Sequence, residues 1–396
     1  MKRLLTIVAC LSLLQIAKAA PLLNPADTTL VPVVNPAPVS GNLMVTYKQR
    51  LDALKKDVPL DYNEYVQGYI DIYLSPNERD DIGRVLGLSK YYFPIYEKAF
   101  HDAGIPEEIK YLSIVESQLN PNAVSRVGAT GPWQFMFTTA RIYGLTIDNY
   151  VDERKDPIQS SYAAAAYLKD AYQEFGDWLL AIASYNCGKS NVVNAIQKAN
   201  GATDFWSIRQ YLPVETRGYV PAYIAITYVM NYYARHNITP QACSFSVKTD
   251  TIMVNKVVNL SSVSQVLNID LAQLAILNPA YKMLVINGTA AAPRRLVIPQ
   301  VSKESYGALY NILTDNTTPA ALPAYHKVDA PTSYEENSSA RRRSSKSYIT
   351  YKVHRGDTLS TIADKFEGAT VEKIKEDNGL KKSHVQPGMT LKISKG

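Results

Sequence analysis

Glu116 is the residue of this sequence whose surroundings most suggest chemistry. It opens the stretch ESQLNPNAVSRVGATGPWQFMFTTA, residues 116–140, in which no other carboxylate occurs. Gly128, Thr130 and Gly131 allow a tight turn there, and an amide and several aromatic residues follow. We therefore expect a site with one acid, a folded loop beside it and apolar surface around it.

The residues before Glu116 predict a helix that places this side chain in the interior. IPEE, residues 105–108, is typical of a helix start, with Pro near the first turn and acids at the positive end of the dipole. At about 100° per residue, Glu116 falls between Ile109 and Leu112 on the face that meets the core. Burial raises the pKa of a carboxyl, and a protonated carboxyl is what a general acid requires. A glutamate that escapes into solvent at the helix end is the alternative.

The loop after this helix is predicted to return towards the acid. Asn120-Pro121 should stop the helix, and the glycine turn should bring Gln134 and Met136 back near its end. Three aromatic residues alternate with them and would form a wall for sugar rings: Trp133, Phe135 and Phe137. A hydrophobic loop explains the aromatics equally well, but it does not explain the glycines around a buried acid.

Four blocks of sequence, in this order, carry a resemblance to a known family. They are residues 116–140, YVDERKDPIQSSYAAAAYLKDAY at 150–172, AIASYNCG at 181–188 and YLPVETRGYVPAYIAI at 211–226. Together they resemble lytic transglycosylases of the goose-type lysozyme-like superfamily, glycoside hydrolase family 23, and most of all the membrane-bound lytic murein transglycosylase D type. The resemblance covers roughly residues 91–233. It implies a mainly α, lysozyme-like catalytic domain that acts on the glycan strands of peptidoglycan.

The resemblance also implies roles for single residues. Glu116 would be the only catalytic acid and base. The residues that would support it or contact the sugar are Ser117, Ser125, Gln134, Met136, Tyr185, Asn186 and Tyr219. Glu215 and the charges at residues 152–156 are interpreted as structural. Pro132, Phe137 and Cys187 depart from the family pattern, which puts loop geometry and subsite preference in doubt.

A single carboxylate suggests one particular reaction. Most glycosidases use two carboxyls, whereas a MurNAc residue carries its own acetamido group and C6 hydroxyl. Attack of that hydroxyl on C1 would leave a 1,6-anhydro-MurNAc end without water. A hydrolytic muramidase and a non-catalytic peptidoglycan-binding scaffold are the alternatives. The sequence shows no nucleotide-binding loop, metal motif or CxxC pair, so we expect no cofactor and no metal.

Residues 351–393 resemble a LysM domain, for which strand, two helices and strand are expected. The resemblance implies binding of N-acetylglucosamine chains. The groove residues would be Gly356, Asp357, Thr358, Leu359, Ser360, Asn378, Gly379 and Leu380. Asp357 or Thr358 should cap the first helix. A small packing domain with an unknown ligand is the alternative.

Residues 246–300 are interpreted as a degenerate second copy. FSVKTDTIMVNKVVNL and RRLVIPQ are β-like, and SSVSQVLNIDLAQLAILNP between them is helical and ends in Asn-Pro. The Gly-Asp-Thr-Leu turn of the C-terminal module is missing here. A sugar-binding module and a small scaffold domain both remain open.

The N-terminus predicts export. Lys2 and Arg3 precede an apolar stretch, residues 4–16, and Ala17-Lys18-Ala19 is a cleavage site. Cys10 also fits a bacterial lipobox, so an outer-membrane lipoprotein is the alternative to cleavage after residue 19. We expect a protein of the periplasm or cell envelope.

The charge argues against nucleic acid as a partner. The formal net charge is +6, from 42 basic and 36 acidic residues. Without residues 1–19, which hold three basic residues and no acid, 39 basic residues face the same 36 acids, or +3. This is too mild for a nucleic-acid-binding protein.

The predicted architecture is mainly α with a small α+β (βααβ) module. The predicted segments are a signal peptide at 1–19, a Pro-rich linker at 20–43, the catalytic domain at 44–240, the degenerate LysM-like domain at 246–300, a disordered linker at 301–347 and the LysM domain at 348–396. Cys187 and Cys243 could form a disulfide, but their spacing alone does not decide this.

Overall fold

The computed structural model describes residues 41–314, 348–353, 357–363, 366, 369–380 and 385–394. Several predictions fall outside the described residues: the signal peptide, lipidation at Cys10, the Pro-rich linker up to residue 40, the linker from residue 315 to 347, and the groove residue Gly356. The other predictions can be compared with the structure.

Helices make up the first domain. They are α1 Gly41–Leu54, α2 Glu64–Tyr73, α3 Arg79–Ala103, α4 Leu112–Ser117, α5 Phe137–Ile142, α6 Pro157–Phe175, α7 Trp178–Cys187, α8 Lys189–Lys198, α9 Phe205–Ile208 and α10 Val214–Tyr232, with 3₁₀ turns at Glu107–Tyr111, Arg209–Tyr211 and Tyr233–His236. One continuous hydrophobic core joins them. The mainly α prediction is confirmed.

Local sequence signals explain where α6 and α7 begin and end. The Asp156 carboxylate accepts hydrogen bonds from the first free N–H groups of α6, and Pro157 is its first residue. Gly176 ends α6 in the left-handed conformation, with φ 67°. Asp177 caps α7, which ends before Gly188. The sequence predicts these boundaries, with Asp156-Pro157 opening one helix, Gly176-Asp177 preceding the next and Gly188 closing it.

The central helix α10 begins earlier than predicted. The sequence predicts a helix from Tyr219 to Tyr233, but α10 starts at Val214 and holds Pro221 in its interior. A proline has no N–H for the carbonyl four residues before it. The Nε of Arg209 donates to that carbonyl, on Arg217, at 2.8 Å. The helix therefore passes through the proline with its backbone satisfied, which sequence-based reasoning did not foresee.

The second domain has two small antiparallel ladders and three helices. β1 Thr249–Val254 pairs with β4 Arg294–Pro299, and β2 Val257–Asn259 pairs with β3 Val285–Asn287. The helices are α11 Leu260–Leu267, α12 Leu271–Leu277 and α13 Lys303–Thr314. They share a hydrophobic core of their own. The β-like and helical segments predicted here are confirmed.

Helix α13 contradicts the prediction of a disordered linker from residue 301. Leu309 is 1% exposed, and Tyr306 and Leu313 pack around the same core. These residues recur at helical spacing, so α13 presents one apolar face to α11. The second domain therefore continues to residue 314.

The C-terminal module has the predicted strand–helix–helix–strand order. β5 Tyr348–Lys352 pairs antiparallel with β6 Thr390–Ser394, and α14 Leu359–Ala363 and α15 Val371–Asn378 lie between them in sequence. The Oγ1 of Thr358 accepts a hydrogen bond from the Thr361 N–H at 3.2 Å. Of the two predicted caps, Thr358 is thus the one that caps α14.

Across the described residues, no helix is both long and apolar enough to cross a bilayer. Cys187 and Cys243 are free thiols. The Cys243 Sγ donates to the carbonyl of Gly87 at 3.2 Å, whereas the Cys187 Sγ lies 3.4 Å from the carbonyl of Ala183.

Candidate active site

Glu116 lies near the end of a short buried helical segment. A 3₁₀ turn, Glu107–Tyr111, runs directly into α4. Ile109 and Leu112 are fully buried, and Glu116 is 7% exposed. The burial predicted for Glu116 from helical spacing is confirmed, although the first turn is 3₁₀ and not α.

The chain turns sharply after α4. The helix ends at Ser117, before the predicted stop at Asn120-Pro121, because Gln118 and Leu119 adopt left-handed φ angles of 53° and 62°. The Nη2 of Arg84 donates a hydrogen bond to the Gln118 side chain and holds this turn. Such conformations are strained for residues other than glycine, and they occur here beside the acid.

The surroundings of Glu116 favour its protonated form. Burial is the main cause that raises its pKa from an ordinary value of 4.5 to about 8, and a hydrogen bond from Tyr219 lowers it in part. The Tyr219 hydroxyl, on α10, donates to Oε1 of Glu116. No charged side chain among the described residues contributes to this pKa shift. At neutral pH, Glu116 is therefore mostly a neutral acid that can donate a proton.

The two predicted supporting serines form hydrogen bonds in the loop of residues 123–136, which follows the acid and is called the covering loop below. The Ser117 Oγ donates to the Pro132 carbonyl at 2.9 Å, and the Ser113 Oγ donates to the same oxygen at 2.8 Å. The Ser125 Oγ accepts from the Ala129 N–H at 3.0 Å. Sequence reasoning missed Ser113, although its position four residues before Ser117 on one helical face was a usable signal.

Gln134 is held in the covering loop in a strained conformation, with φ 47°. Its Nε2 donates to the Gly131 carbonyl at 2.8 Å. Its Oε1 is buried and has no hydrogen-bond partner within the described part of the chain. An acceptor in this state is suited to a donor on a ligand. Met136, the other predicted cleft residue of the loop, is half-buried at the start of α5.

Tyr185 and Asn186 lie at the end of α7. The Tyr185 hydroxyl donates to the Trp133 carbonyl at 2.8 Å. Burial, and then the charge of Glu116, raises the pKa of Tyr185 well above its ordinary range, so the two residues are close. Asn186 instead accepts from Thr216 at 2.8 Å. Thr216 was missed, although it lies in the same sequence block as Tyr219.

The predicted aromatic wall is wrong for two of its three residues. Trp133 is fully buried, 5.0 Å from the Tyr96 ring and 5.4 Å from the Phe100 ring, and its N–H donates to Ser161 at 2.8 Å. Phe135 is buried as well. Both large rings belong to the core, because burying a large apolar side chain removes the most apolar surface from water.

The charged residues 152–156 form the predicted scaffold. Asp152 accepts two hydrogen bonds from Arg154, at 3.0 Å from Nε and 2.8 Å from Nη2. Glu153 and Asp156 pair with arginines of the second domain. Glu215 is exposed in the first turn of α10. In the regions described, no three His, Cys, Asp or Glu residues group as a metal site requires.

The predicted groove residues of the C-terminal module differ in what they can contact. Thr358, Ser360 and Gly379 are exposed, and Asp357 accepts from the Tyr351 hydroxyl at 2.7 Å. Leu359 is 1% exposed and Leu380 packs against the core, so both side chains belong to the interior of the module, and glycan binding by these two loops stays a prediction.

Asn378 joins α15 to β6 within this module. Its Nδ2 donates to the carbonyls of Ile374 and Lys392 at 2.8 and 2.6 Å, and its Oδ1 accepts from the Lys392 N–H at 2.7 Å. Its side chain therefore has a structural role, and the loop that follows it remains the candidate contact surface.

Comparison with known proteins identifies domains in three parts of the chain. Residues 94–207 match the Transglycosylase SLT domain. Residues 248–314 match the LysM-like domain of lytic transglycosylase MltD, and residues 351–394 match the LysM domain. The LysM-like match ends where α13 ends.

Relatives of this chain are named as lytic transglycosylases. Membrane-bound lytic murein transglycosylase D of Escherichia coli (strain K12) is 30% identical over 296 residues, 74% of this chain and 61% of that protein. Membrane-bound lytic murein transglycosylase F of Maricaulis maris (strain MCS10) is 31% identical over 128 residues, 29% of this chain and 26% of that protein. Among solved structures, the 70 kDa soluble lytic transglycosylase of Escherichia coli matches at 27% identity with a TM-score of 0.31, over 36% of this chain and 24% of that chain.

The chain thus spans 61% of the length of the first of these relatives. The resemblance found in the sequence blocks, and the mainly α, lysozyme-like fold class, are confirmed by these matches together with the helical fold. The chain carries a transglycosylase SLT domain, an MltD-type LysM-like domain and a LysM domain, in that order.

Proposed function

We propose that this protein is a peptidoglycan lytic transglycosylase that cleaves the MurNAc-β-1,4-GlcNAc bond and leaves 1,6-anhydro-MurNAc ends. The observation that carries the proposal is the burial of Glu116. Burial raises its pKa to about 8, and the hydrogen bond that its carboxyl accepts comes from a neutral hydroxyl, that of Tyr219. The names of the relatives, lytic murein transglycosylases D and F, support the substrate class.

Glu116 serves both halves of the reaction. As a neutral acid it protonates the departing GlcNAc oxygen while the C1–O bond breaks. The acetamido group of MurNAc stabilises the positive charge that develops at C1. The Glu116 carboxylate then takes the proton of the C6 hydroxyl as O6 bonds to C1, so the acid is regenerated without water. Because nucleophile and electrophile belong to one sugar, their proximity lowers the barrier.

Tyr219 and the covering loop support these steps. The Tyr219 hydroxyl donates to Oε1 of Glu116 and so stabilises the carboxylate that exists between the two proton transfers. The Oε1 of Gln134, which has no hydrogen-bond partner among the described residues, accepts a hydrogen bond from the sugar. Neither group needs a cofactor.

The other parts of the chain place the enzyme on its substrate. The C-terminal LysM domain binds N-acetylglucosamine chains of the wall and raises the local concentration of the catalytic domain. Residues 1–19 direct export, and the protein works in the cell envelope. Outer-membrane association through a lipid on Cys10 is tested by detergent-phase partitioning of the mature protein.

Mass spectrometry of purified sacculi digested by the protein tests the activity. Anhydro-MurNAc ends are expected. Reducing ends, which are one water heavier, would identify a hydrolytic muramidase. Binding to sacculi with no new ends would identify a wall-binding scaffold, and either result would overturn the proposal.

A further inference from the structure

The segment of residues 150–156 lies between the LysM-like domain and the loop over the acid. On the LysM-like side its backbone forms an isolated antiparallel bridge. The Asp152 N–H donates to the Ala280 carbonyl at 2.9 Å, and the Lys282 N–H donates to the Tyr150 carbonyl at 2.9 Å. The two domains are therefore joined by main-chain hydrogen bonds as well as by side chains.

Two arginines at the start of β4 reinforce this joint. The Nη1 of Arg294 lies 2.8 Å from Oε1 of Glu153, and the Nη2 of Arg295 lies 3.3 Å from Oδ2 of Asp156. The other carboxylate oxygen of Glu153 accepts from the Thr146 N–H at 2.7 Å. Glu153 is 8% exposed, so its charge needs the arginine.

On its other side the same segment holds the covering loop. The Nη1 of Arg154 donates to the carbonyls of Gly128 and Phe135, at 3.2 and 3.4 Å. Gly131 packs so closely that a Cβ there would lie 1.8 Å from the carbonyl oxygen of Arg154. Asp152 fixes the guanidinium by two hydrogen bonds.

We propose that Arg294 is a positioning residue for the covering loop. The LysM-like domain would thus act as a brace, meaning that its contacts hold this loop in place at the active site. The brace runs from Arg294 through Glu153 to the adjacent Arg154, and from there to the loop that carries Gln134. The strained φ of Gln134 persists only while its surroundings fix it. This inference rests on the proposed function, because it assigns the loop to catalysis.

Arg294→Met and Arg294→Lys test the brace in the full-length chain. The Met variant keeps the apolar stem and removes the cation, whereas the Lys variant returns a cation to Glu153. Measurements are kcat and KM on purified peptidoglycan and hydrogen exchange of the amides in residues 123–136. Lys48→Met is the matched control, because Lys48 forms an exposed pair with Asp52 at 2.8 Å on α1.

We expect Arg294→Met to lower kcat by about tenfold to a hundredfold, since small displacements of positioned groups have effects of this size. Exchange in residues 123–136 should become faster while α3 and α10 stay protected. Arg294→Lys should recover most of the wild-type kcat and most of the protection of residues 123–136. Lys48→Met should match the wild type in kcat and in exchange.

Three results would overturn the brace. The first is an Arg294→Met protein with wild-type kcat and wild-type exchange in the loop. The second is faster exchange spread evenly over the helical domain, which would mean that Arg294 contributes only to overall stability. The third is an Arg294→Lys variant no better than Arg294→Met. Exchange is measured without turnover, so an inactive wild-type protein would refute the proposed function and still leave the brace decided.

Discussion

Glu116 and Asp152 are both buried in the helical domain, and their partners differ. Glu116 is 7% exposed and accepts a hydrogen bond from a neutral hydroxyl, that of Tyr219. Asp152 is 4% exposed and accepts two hydrogen bonds from the Arg154 guanidinium. The first acid has lost water and gained no counter-charge, whereas the second has a cation beside it.

This difference separates the proposed catalytic acid from a structural one. A carboxyl that is desolvated without a cation keeps its proton into the neutral range, and the pKa of Glu116 is raised to about 8 accordingly. A carboxylate paired with arginine is fixed in charge and geometry, which suits a scaffold. Burial alone therefore does not indicate catalysis; the partner decides.

The largest effect should come from removing the proposed catalytic acid, Glu116. Glu116→Gln keeps the shape of the side chain and removes its titratable proton, so glycan cleavage should fall by at least about 10³-fold, near the upper range of general acid catalysis. Release of muropeptides from purified sacculi measures this. The control is Glu107→Gln, an exposed acid in the same helical segment, which should be fully active. Turnover retained by Glu116→Gln, with circular dichroism unchanged, would refute the assignment.

The pH dependence of stability should reveal the raised pKa of Glu116. The folded pKa of Glu116, about 8, lies above its ordinary value of 4.5. Between these values the folded chain holds a proton that the unfolded chain has released. The free energy of unfolding should therefore fall with rising pH by about 1.4 kcal/mol per pH unit from this group. Urea unfolding across this range measures the slope, and Glu116→Gln should flatten it by that amount. An identical slope in both proteins would contradict the raised pKa.

Asp152→Asn should mainly lower the free energy of unfolding. It leaves the Arg154 guanidinium buried with one partner lost, and breaking a buried ion pair costs on the order of 3–5 kcal/mol. Asp52→Asn is the matched control, because the exposed pair of Asp52 with Lys48 should contribute at most about 1 kcal/mol. Chemical unfolding at one pH compares them. Equal losses in the two variants would mean that the Asp152 pair is no more than a surface contact.

Local signals made much of the fold predictable from the sequence. The cap at Asp156, the proline after it and the glycines at 176 and 188 set helix ends through contacts within a few residues. Helical spacing alone placed Glu116 inside. These features depend on neighbours in sequence, so they needed no knowledge of the tertiary structure.

Three of the misses depend on distant partners. The early start of α10 involves Arg209, which satisfies the carbonyl that Pro221 leaves free. Trp133 was expected in the cleft, but its ring packs at a tilt against the rings of Tyr96 and Phe100, which are distant in sequence. The scaffold role of residues 152–156 was predicted, but their pairing with Arg294 and Arg295 was not.

The two LysM-type modules show the same limit. Asn278 donates to the Leu274 and Val297 carbonyls and accepts from the Val297 N–H, as Asn378 does with its own helix and strand. The sequence suggested this kinship through the helix–helix–Asn order. It could not reveal that the loop after Asn278 pairs with residues 150–152 of the catalytic domain. Docking favours the scaffold interpretation of this module.

The smallest effect should come from Tyr219→Phe, which removes the one hydrogen bond that the Glu116 carboxyl accepts from α10. This bond lowers the pKa of Glu116, so its loss should move the alkaline limb of the pH–rate profile to higher pH. A hydrogen bond to a charged group contributes about 1.5–3 kcal/mol, which corresponds to about one to two pH units. The matched control is Tyr223→Phe, on the same helix, whose hydroxyl donates to the Glu108 carbonyl at 3.2 Å and should leave the limb in place. A limb that stays fixed in Tyr219→Phe, or that moves to lower pH, would show that Tyr219 does not stabilise the carboxylate and would weaken the contrast with Asp152.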